Sequence, residues 1–298
     1  MRELIDATMK TKQSLRVGGV PEHFNLPWQL AAERDVFSNY DIDLSWTMYA
    51  GGTGAMTQAI SNGSLDVAIL LTEGFISAAS DGLDASIAKV YIDTPLVWGI
   101  YTGAQSAIQQ VDTFQNKRIA ISRFGSGSHL MSMIHASERN EQIDSNQFEI
   151  VHSLQGGVTM LRDSRADLFY WEKFMTRPHV QSGEVKAVGE FSAPWSSFLI
   201  IVGNNALREK KEVVMQLLEI MNGECITFKQ DMHSAIHLSK RFDMSLPEAH
   251  QWLQRTQWNY NFEVSISSLE KAKSALVSVN KCNPTLNLRD ICASWIQI

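Results

Sequence analysis

The stretch IDLSWTMYAGGTGAMTQAISNGSLDVAIL, residues 42–70, decides the fold class of this chain. It opens with an apolar strand pattern at Ile42–Met48 and passes through the glycine-rich turn Gly51–Gly54 into a helical pattern over 55–62. A second apolar run, Val67–Leu71, follows a short polar turn. A strand, a helix and a strand in this order are typical of a βα unit in a parallel sheet.

The same alternation continues in both directions from this stretch. The other predicted strands are Ser14–Val20, Ile87–Ile92, Lys117–Ser122, Phe148–Val151, Asp167–Trp171 and Val185–Glu190. Two apolar segments, Pro95–Tyr101 and Pro194–Val202, are expected to cross between two lobes. We therefore predict an α/β fold with two doubly wound lobes and a ligand cleft between them. Lobe 1 would comprise 1–95 and 195–298, and lobe 2 would comprise 96–194.

Beyond Asn204 the pattern changes to long amphipathic stretches. Ser245 with Glu248, and Ser267 with Glu270, have the spacing of a capping box at a helix start. The sequence therefore predicts a helical C-terminal tail, which would pack on lobe 1.

Composition and charge disfavour several classes of partner. The chain has 298 residues, 44% of them hydrophobic, and a formal net charge of -6 with no run of Lys or Arg. This gives no electrostatic reason to bind nucleic acid or an anionic membrane. No apolar run reaches the ~20 residues of a membrane span, and residues 1–13 lack the apolar stretch of a secretory signal. The expected location is cytoplasmic as given, or periplasmic if a leader has been removed.

The three cysteines, Cys225, Cys282 and Cys292, are far apart in the C-terminal third. They have neither metal-ligand spacing nor the even number of a disulfide framework, so buried thiols are expected.

Two histidines in the tail have a spacing that is found in metal sites. His233 and His237 are four residues apart and would share one helical face. Asp231 is only two residues before His233 and would point elsewhere on a helix, so the third ligand is unconvincing. We predict no metal and no cofactor.

The order of these features resembles the type II periplasmic binding proteins, in the branch of nitrate-, sulfonate- and taurine-binding proteins and thiamine-pyrimidine-precursor proteins. The segments that carry the resemblance are VPEHFNLPWQLAAERDVF (20–37), the stretch 42–70, DTPLVWGIYTG (93–103), RIAISRFGSGSHLMSMI (118–134) and GGVTMLRDSRADLFYWE (156–172). The start PEHF, without a leader, is similar to a leaderless subgroup. The resemblance implies two lobes joined by two crossing strands, with a small polar or heteroaromatic ligand in the cleft.

Three functions remain open on these grounds. The first is reversible solute binding without catalytic residues, as in the substrate-binding component of an ABC-type uptake system, with a permease as partner. The second is a related soluble sensor that docks on another protein. The third is an enzyme of thiamine-pyrimidine precursor metabolism that uses His23 or His129 with a carboxylate as acid and base. Fungal pyrimidine synthases of this fold carry a clustered-cysteine segment, which this sequence lacks.

Two loops carry donors suited to an anionic ligand group. Gly52 and Thr53 precede a helical run, so backbone N–H groups and the helix dipole would face an anion. Alternatively, the glycines only relieve strain in a strand-to-helix turn. The second loop joins Arg123 to the hydroxyls of Ser126 and Ser128, a combination that carboxylate or phosphate recognition needs. Alternatively, Arg123 is a surface residue.

Carboxylates and aromatic side chains follow other strand ends, where ligands gather in open α/β sheets. Glu73 and Glu172 would favour amino or amidine groups of a ligand. The aromatic candidates would stack on a planar ligand, although aromatic residues in such positions also form the core. The remaining ligand-binding candidates are Glu22, His23, Phe24, His129, Trp171 and Trp195.

Overall fold

A computed structural model describes residues 12–298 and contains two five-stranded sheets. The strands of the first sheet are, in spatial order, β2 (Ile42–Met48), β1 (Gln13–Gly19), β3 (Val67–Leu71), β10 (Phe198–Gly203) and β4 (Ala85–Ile92). Strand β1 is parallel to β2 and β3, whereas β10 is antiparallel to β3 and β4. The strand that re-enters from the second sheet is therefore the one that breaks the parallel pattern.

The second sheet repeats this arrangement. Its strands are, in spatial order, β7 (Phe148–Ile150), β6 (Ile119–Ile121), β8 (Leu168–Glu172), β5 (Val97–Gly103) and β9 (Val185–Ser192). Strand β6 is parallel to its neighbours, and β5 is antiparallel to both of its own. Strand β3 consists only of apolar residues and lies inside its sheet, as expected for a strand that is covered on both faces.

Helices follow the parallel strands in both sheets. Those of the first sheet are α1 (Leu26–Glu33), α2 (Gly52–Ser61) and α3 (Thr72–Ser80). Those of the second sheet are α4 (Gly127–Glu138), α5 (Leu154–Arg162) and α6 (Lys173–Gln181). The tail contains α7 (Asn204–Glu209), α8 (Lys211–Gln230), α9 (Ser234–Phe242), α10 (Leu246–Arg255) and α11 (Ile266–Ser278). Short 3-10 turns occur at His23–Asn25, Val36–Tyr40 and Ser145–Gln147.

The chain passes between the sheets twice, between β4 and β5 and again between β9 and β10. The two passages lie side by side, since Ser197 N donates to Ile92 O at 3.0 Å. Thr72 Oγ1 also donates to Ser196 O at 2.5 Å. The two-lobed α/β architecture is confirmed. The exact lobe boundaries stay a prediction, and residues 1–11 lie outside the described residues.

The tail contacts both lobes. Ile87 of β4 exchanges backbone hydrogen bonds with Ile291 (2.7 Å) and Ala293 (2.9 Å), which closes this edge of the first sheet. Helix α11 packs against both α3 and α4. Glu248 of α10 forms an ion pair with Arg177 of α6 and accepts a hydrogen bond from Gln181 at 3.1 Å. The tail thus bridges the two lobes through noncovalent contacts, in addition to the two passages of the chain.

Local expectations about the tail were partly right. The capping box of Ser245 and Glu248 is confirmed at the start of α10. The box at Ser267 is wrong, because α11 begins two residues earlier than that cap requires, at Ile266, and Ser265 caps it by accepting from Ser268 N at 3.3 Å.

The cysteine expectation also needs correction. Cys225 is buried, but Cys282 and Cys292 are only partly buried, and all three are free thiols.

Among residues 12–298, no helix combines the length and the apolar character needed to cross a membrane.

Candidate functional site

A cavity of about 250 Å³ lies between the two lobes. Ligand pockets commonly measure about 300–1,000 Å³, so a cavity just below this range suits a small molecule. Its walls come from both sheets, mainly from the segments that follow the carboxyl ends of parallel strands. These segments are 20–22 after β1, 50–53 after β2, 122–128 after β6, 153–155 after β7, and 171–175 at the end of β8 and the start of α6.

In the first lobe the glycine loop brings the start of α2 to the cavity. Gly51, Gly52 and Thr53 line the wall. Gly52 has a φ of 64°, in the left-handed region that a side chain disfavours, so this sharp entry into the helix requires glycine. The N–H of Gly52 donates to Tyr49 O at 2.9 Å, whereas those of Thr53 and Gly54 have no partner within the helix and are available to an acceptor at this wall.

In the second lobe a serine network fixes the loop before α4. Ser126 Oγ donates to Arg123 O at 2.7 Å and accepts from His129 N at 3.4 Å, as the N-cap of α4. Ser128 Oγ accepts from Ser122 N at 3.0 Å. Both hydroxyls line the cavity while holding the backbone, so the loop is organised before any ligand arrives.

Arg123 extends from this loop onto the glycine loop of the opposite lobe. A Cβ placed on Gly54 would lie only 2.5 Å from Arg123 Nε, so the guanidinium rests directly on the start of α2. Arg123 Nη2 is buried and has no hydrogen-bond partner among residues 12–298. Burial lowers the pKa of Arg123, and no neighbouring carboxylate opposes that shift. A desolvated cation without a partner is costly, and an anion in the cavity would relieve that cost.

Two carboxylates line another part of the wall. Glu172 Oε2 accepts from Met175 N at 2.7 Å, which caps α6, and lies 3.2 Å from His23 Nε2. Burial, together with the nearby charge of Glu172, raises the pKa of Glu22 to about 8. At neutral pH Glu22 therefore holds a proton and can donate a hydrogen bond into the cavity.

Comparisons with known proteins agree with this architecture. The structure of the CA3427 gene product of Candida albicans, described as having the generic periplasmic-binding-protein fold, superimposes with a TM-score of 0.83 at 24% identity over 93% of both chains. The chain has the type II periplasmic-binding-protein fold. The sequence resemblance stated above is thus confirmed for the fold.

Other matches to this binding-protein fold are more distant in sequence. The aliphatic sulphonate binding protein SsuA of Escherichia coli gives a TM-score of 0.71 at 14% identity, over 96% of this chain and 93% of its own. The alkanesulfonate-binding SsuA of Xanthomonas axonopodis pv. citri, bound to MOPS, gives 0.78 at 12% identity, over 94% and 98%. A family model described as Ca3427-like PBP matches residues 98–191. No match was found among curated protein sequences.

Within the binding-protein fold, eight of the thirteen ligand-binding candidates line the cavity. They are Glu22, Gly52, Thr53, Arg123, Ser126, Ser128, Trp171 and Glu172. That they contact a ligand stays a prediction.

His23 and Phe24 point away from the cavity into an aromatic cluster. The His23 side chain is completely buried, stacks on Trp252 at 4.5 Å and meets the edge of Phe24 at 4.6 Å. Phe24 in turn packs on Phe198 at 4.9 Å. The 3-10 turn at His23–Asn25 rotates both rings toward the core, so the expectation that they reach the cleft directly needs correction.

Glu73 and Trp195 also lie outside the cavity lining and bind each other. Trp195 Nε1 donates to Glu73 Oε2 at 2.9 Å, and Glu73 Oε1 is buried without a partner among the described residues. Burial raises the pKa of Glu73 to about 7. Glu73 lies in the first turn of α3, and its bond to Trp195 directs the side chain at the passage before β10 rather than at the cavity.

His129 supports the second loop and is likewise absent from the cavity wall. Its Nδ1 accepts from Gly125 N at 3.0 Å, and its ring packs against Phe124 and Phe148. Burial, with a smaller effect from Lys281, lowers the pKa of His129 to about 4, which keeps the ring neutral as an acceptor.

Several wall residues escaped the sequence reasoning. Leu96 comes from the first passage between the lobes and Trp98 from the start of β5, and Ser153 and Gln155 come from the start of α5. The segment QGGVTM, which begins at Gln155, was recognisable as a loop opening into a helix and could have identified the latter pair. The position of Trp98 in the cavity wall could not be predicted from the local sequence, because it depends on the insertion of β5 between β8 and β9.

The metal hypothesis in the tail gains no support from geometry. His233 Nδ1 pairs with Asp231 Oδ1 at 3.1 Å near the start of α9. In the part of the chain from 12 to 298, no group of three or more His, Cys, Asp or Glu side chains is placed to hold a metal ion.

Proposed function

We propose that this protein reversibly binds a small polar solute in the cavity between its lobes. The observation that carries the proposal is Arg123, which lines the cavity, rests on the glycine loop of the other lobe, and has a buried Nη2 without a hydrogen-bond partner among residues 12–298. An anionic group of the solute would accept from the guanidinium and from backbone N–H groups at the starts of α2 and α4.

Closure of the lobes over the solute is part of the proposal. The two passages between the sheets lie side by side, an arrangement that permits a hinge. Contacts across the cavity support it, since a Cβ on Gly127 of lobe 2 would lie 2.8 Å from Leu71 of lobe 1. A solute that contacts both lobes would hold them together.

The biological role that we propose is substrate binding for an ABC-type uptake system, or a related soluble sensor. The SsuA structures that share the fold belong to proteins named for sulphonate binding, and one of them is bound to MOPS. A permease is the corresponding partner for uptake. The enzyme alternative has less support, because neither His23 nor His129 lines the cavity.

Mass spectrometry of small molecules released from freshly purified protein tests the proposal directly. We expect a specific solute that carries an anionic group. Its affinity is then measured by calorimetry for the wild type, Arg123→Lys and Arg123→Ala at low and moderate salt.

Arg123→Lys keeps the charge but loses the planar fork, so we expect binding to weaken about tenfold. Arg123→Ala should weaken it about a hundredfold and reduce its salt dependence. Arg165→Ala, at an exposed arginine of lobe 2, is the matched control. If all four proteins bind alike, Arg123 is not the anion contact and the proposal loses its main support.

A further inference from the structure

The cavity wall contains a cationic region and an acidic region, and no ion pair joins the two among residues 12–298. Arg123 provides the cationic region, and Glu22 with Glu172 provides the acidic one. Burial alone lowers the pKa of Arg123, whereas burial and Glu172 raise the pKa of Glu22. Among residues 12–298, therefore, no carboxylate pairs with Arg123 and no cation pairs with Glu22, although both side chains line one cavity.

The acidic region is a fixed part of the wall. Met175 N holds Glu172 from one side at 2.7 Å, and His23 Nε2 lies 3.2 Å away on the other. The His23 side chain is fully buried, and both of its ring nitrogens lack hydrogen-bond partners among the described residues. The titratable groups that face Glu22 are thus Glu172, with His23 behind it, and Arg123 elsewhere on the same wall.

The rest of the cavity wall is largely apolar. Trp98 of β5 and Trp171 of β8 contribute aromatic surface, and Leu71 and Leu96 contribute aliphatic surface. A solute here would need a charged group at each end and a short apolar or planar body between them.

We propose that the natural ligand is dipolar, with an oxyanion against Arg123 and the glycine loop and an ammonium or amidinium group against Glu22 and Glu172. This inference rests on the proposed function and assigns the ligand class of the same site. A dipolar ligand supplies both missing partners at once, whereas a simple anion would leave the two carboxylates facing each other.

Two matched sets of probes test the inference by calorimetry at neutral pH. The first set is para-(aminomethyl)benzenesulfonate, para-toluenesulfonate and para-methylbenzylamine. The second is aminopropanesulfonate, propanesulfonate and propylamine. In at least one set the dipolar member should bind about tenfold to a hundredfold more tightly than either singly charged member.

Glu22→Gln should remove most of the advantage of the dipolar probe over the sulfonate-only probe, because it replaces a carboxyl that can ionise beside a cation by a neutral amide of the same shape. Glu138→Gln, at an exposed glutamate at the end of α4, is the control, and unfolding midpoints verify that each variant is folded.

Equal binding of the sulfonate-only and dipolar probes would overturn the dipolar inference and leave solute binding intact. Absence of binding by all six compounds would also overturn it. The proposed function is judged separately, by the solute released from the purified protein. A released solute without a basic nitrogen supports solute binding and contradicts the dipolar class.

Discussion

Replacing Gly54 by alanine tests the position of the Arg123 guanidinium without altering a charged residue. The new Cβ would lie 2.5 Å from Nε, 2.9 Å from Nη2 and 3.0 Å from Cζ of Arg123. The guanidinium is the far end of a flexible side chain, so it can move away while the backbone of α2 remains in place.

The size of the effect follows from these distances. An ordinary nonbonded contact requires about 3.5 Å, so the guanidinium must withdraw by about 1 Å. A charge-assisted hydrogen bond to the ligand, about 2.8 Å long, would then exceed the limit of a useful bond. Losing one such bond costs about 1.5–3 kcal/mol, which weakens affinity about tenfold to a hundredfold.

The assay is calorimetric titration with the solute recovered from the purified protein. Gly223→Ala in α8 is the matched control, because its Cβ would meet nothing within 4 Å. Neither change should lower the unfolding midpoint, since alanine is favoured over glycine inside a helix by up to about 1 kcal/mol. If Gly54→Ala binds the solute as tightly as the wild type, the guanidinium does not contact the ligand from this position.

Three further predictions address stability, shape and pH. Because burial raises the pKa of Glu73 from 4.5 to about 7, its stabilising effect as a protonated group is lost as pH rises through that interval. Glu73→Gln should therefore gain on the order of 3 kcal/mol over the wild type near pH 8 and little near pH 4, by urea unfolding; an equal difference at both pH values contradicts this. Bound solute should reduce the radius of gyration in small-angle scattering, because it joins both lobes, and an unchanged radius at saturation argues against closure. Since Glu22 has a pKa of about 8, it should release a proton at neutral pH when it meets a cationic group, and affinity should rise between about pH 7 and pH 9. Calorimetry in two buffers of different ionisation enthalpy measures that proton; Glu22→Gln should release none, and no release from the wild type would refute the role of Glu22.

The regular parts of the fold could be predicted from the sequence because they depend on local pattern. The predicted strands Ile42–Met48 and Val67–Leu71 match β2 and β3 residue for residue. Strand β6 is shorter than predicted, at Ile119–Ile121, because the polar residues that flank it do not join the ladder.

The candidate site was predictable where it depended on strand ends alone. Arg123, Ser126 and Gly52 follow parallel strands, and the topology brings such positions to one edge. Side-chain direction was not predictable at Glu73 and His23. Each begins a short helical segment, where a rotation of the backbone decides between cavity and core. That choice depends on Trp195 and Trp252, which are far away in the sequence.

The contacts of the Glu248 carboxylate could make the surface helix α10 sensitive to whether the cavity is occupied. The same group caps α10 and holds Arg177 and Gln181 of α6. When the lobes separate, the contacts with α6 would be strained, and the first turn of α10 would lose part of its support. Backbone amides in that turn should then exchange with deuterium faster in the solute-free protein. A helix that is not part of the cavity wall would thereby report occupancy, on a surface that another molecule could read.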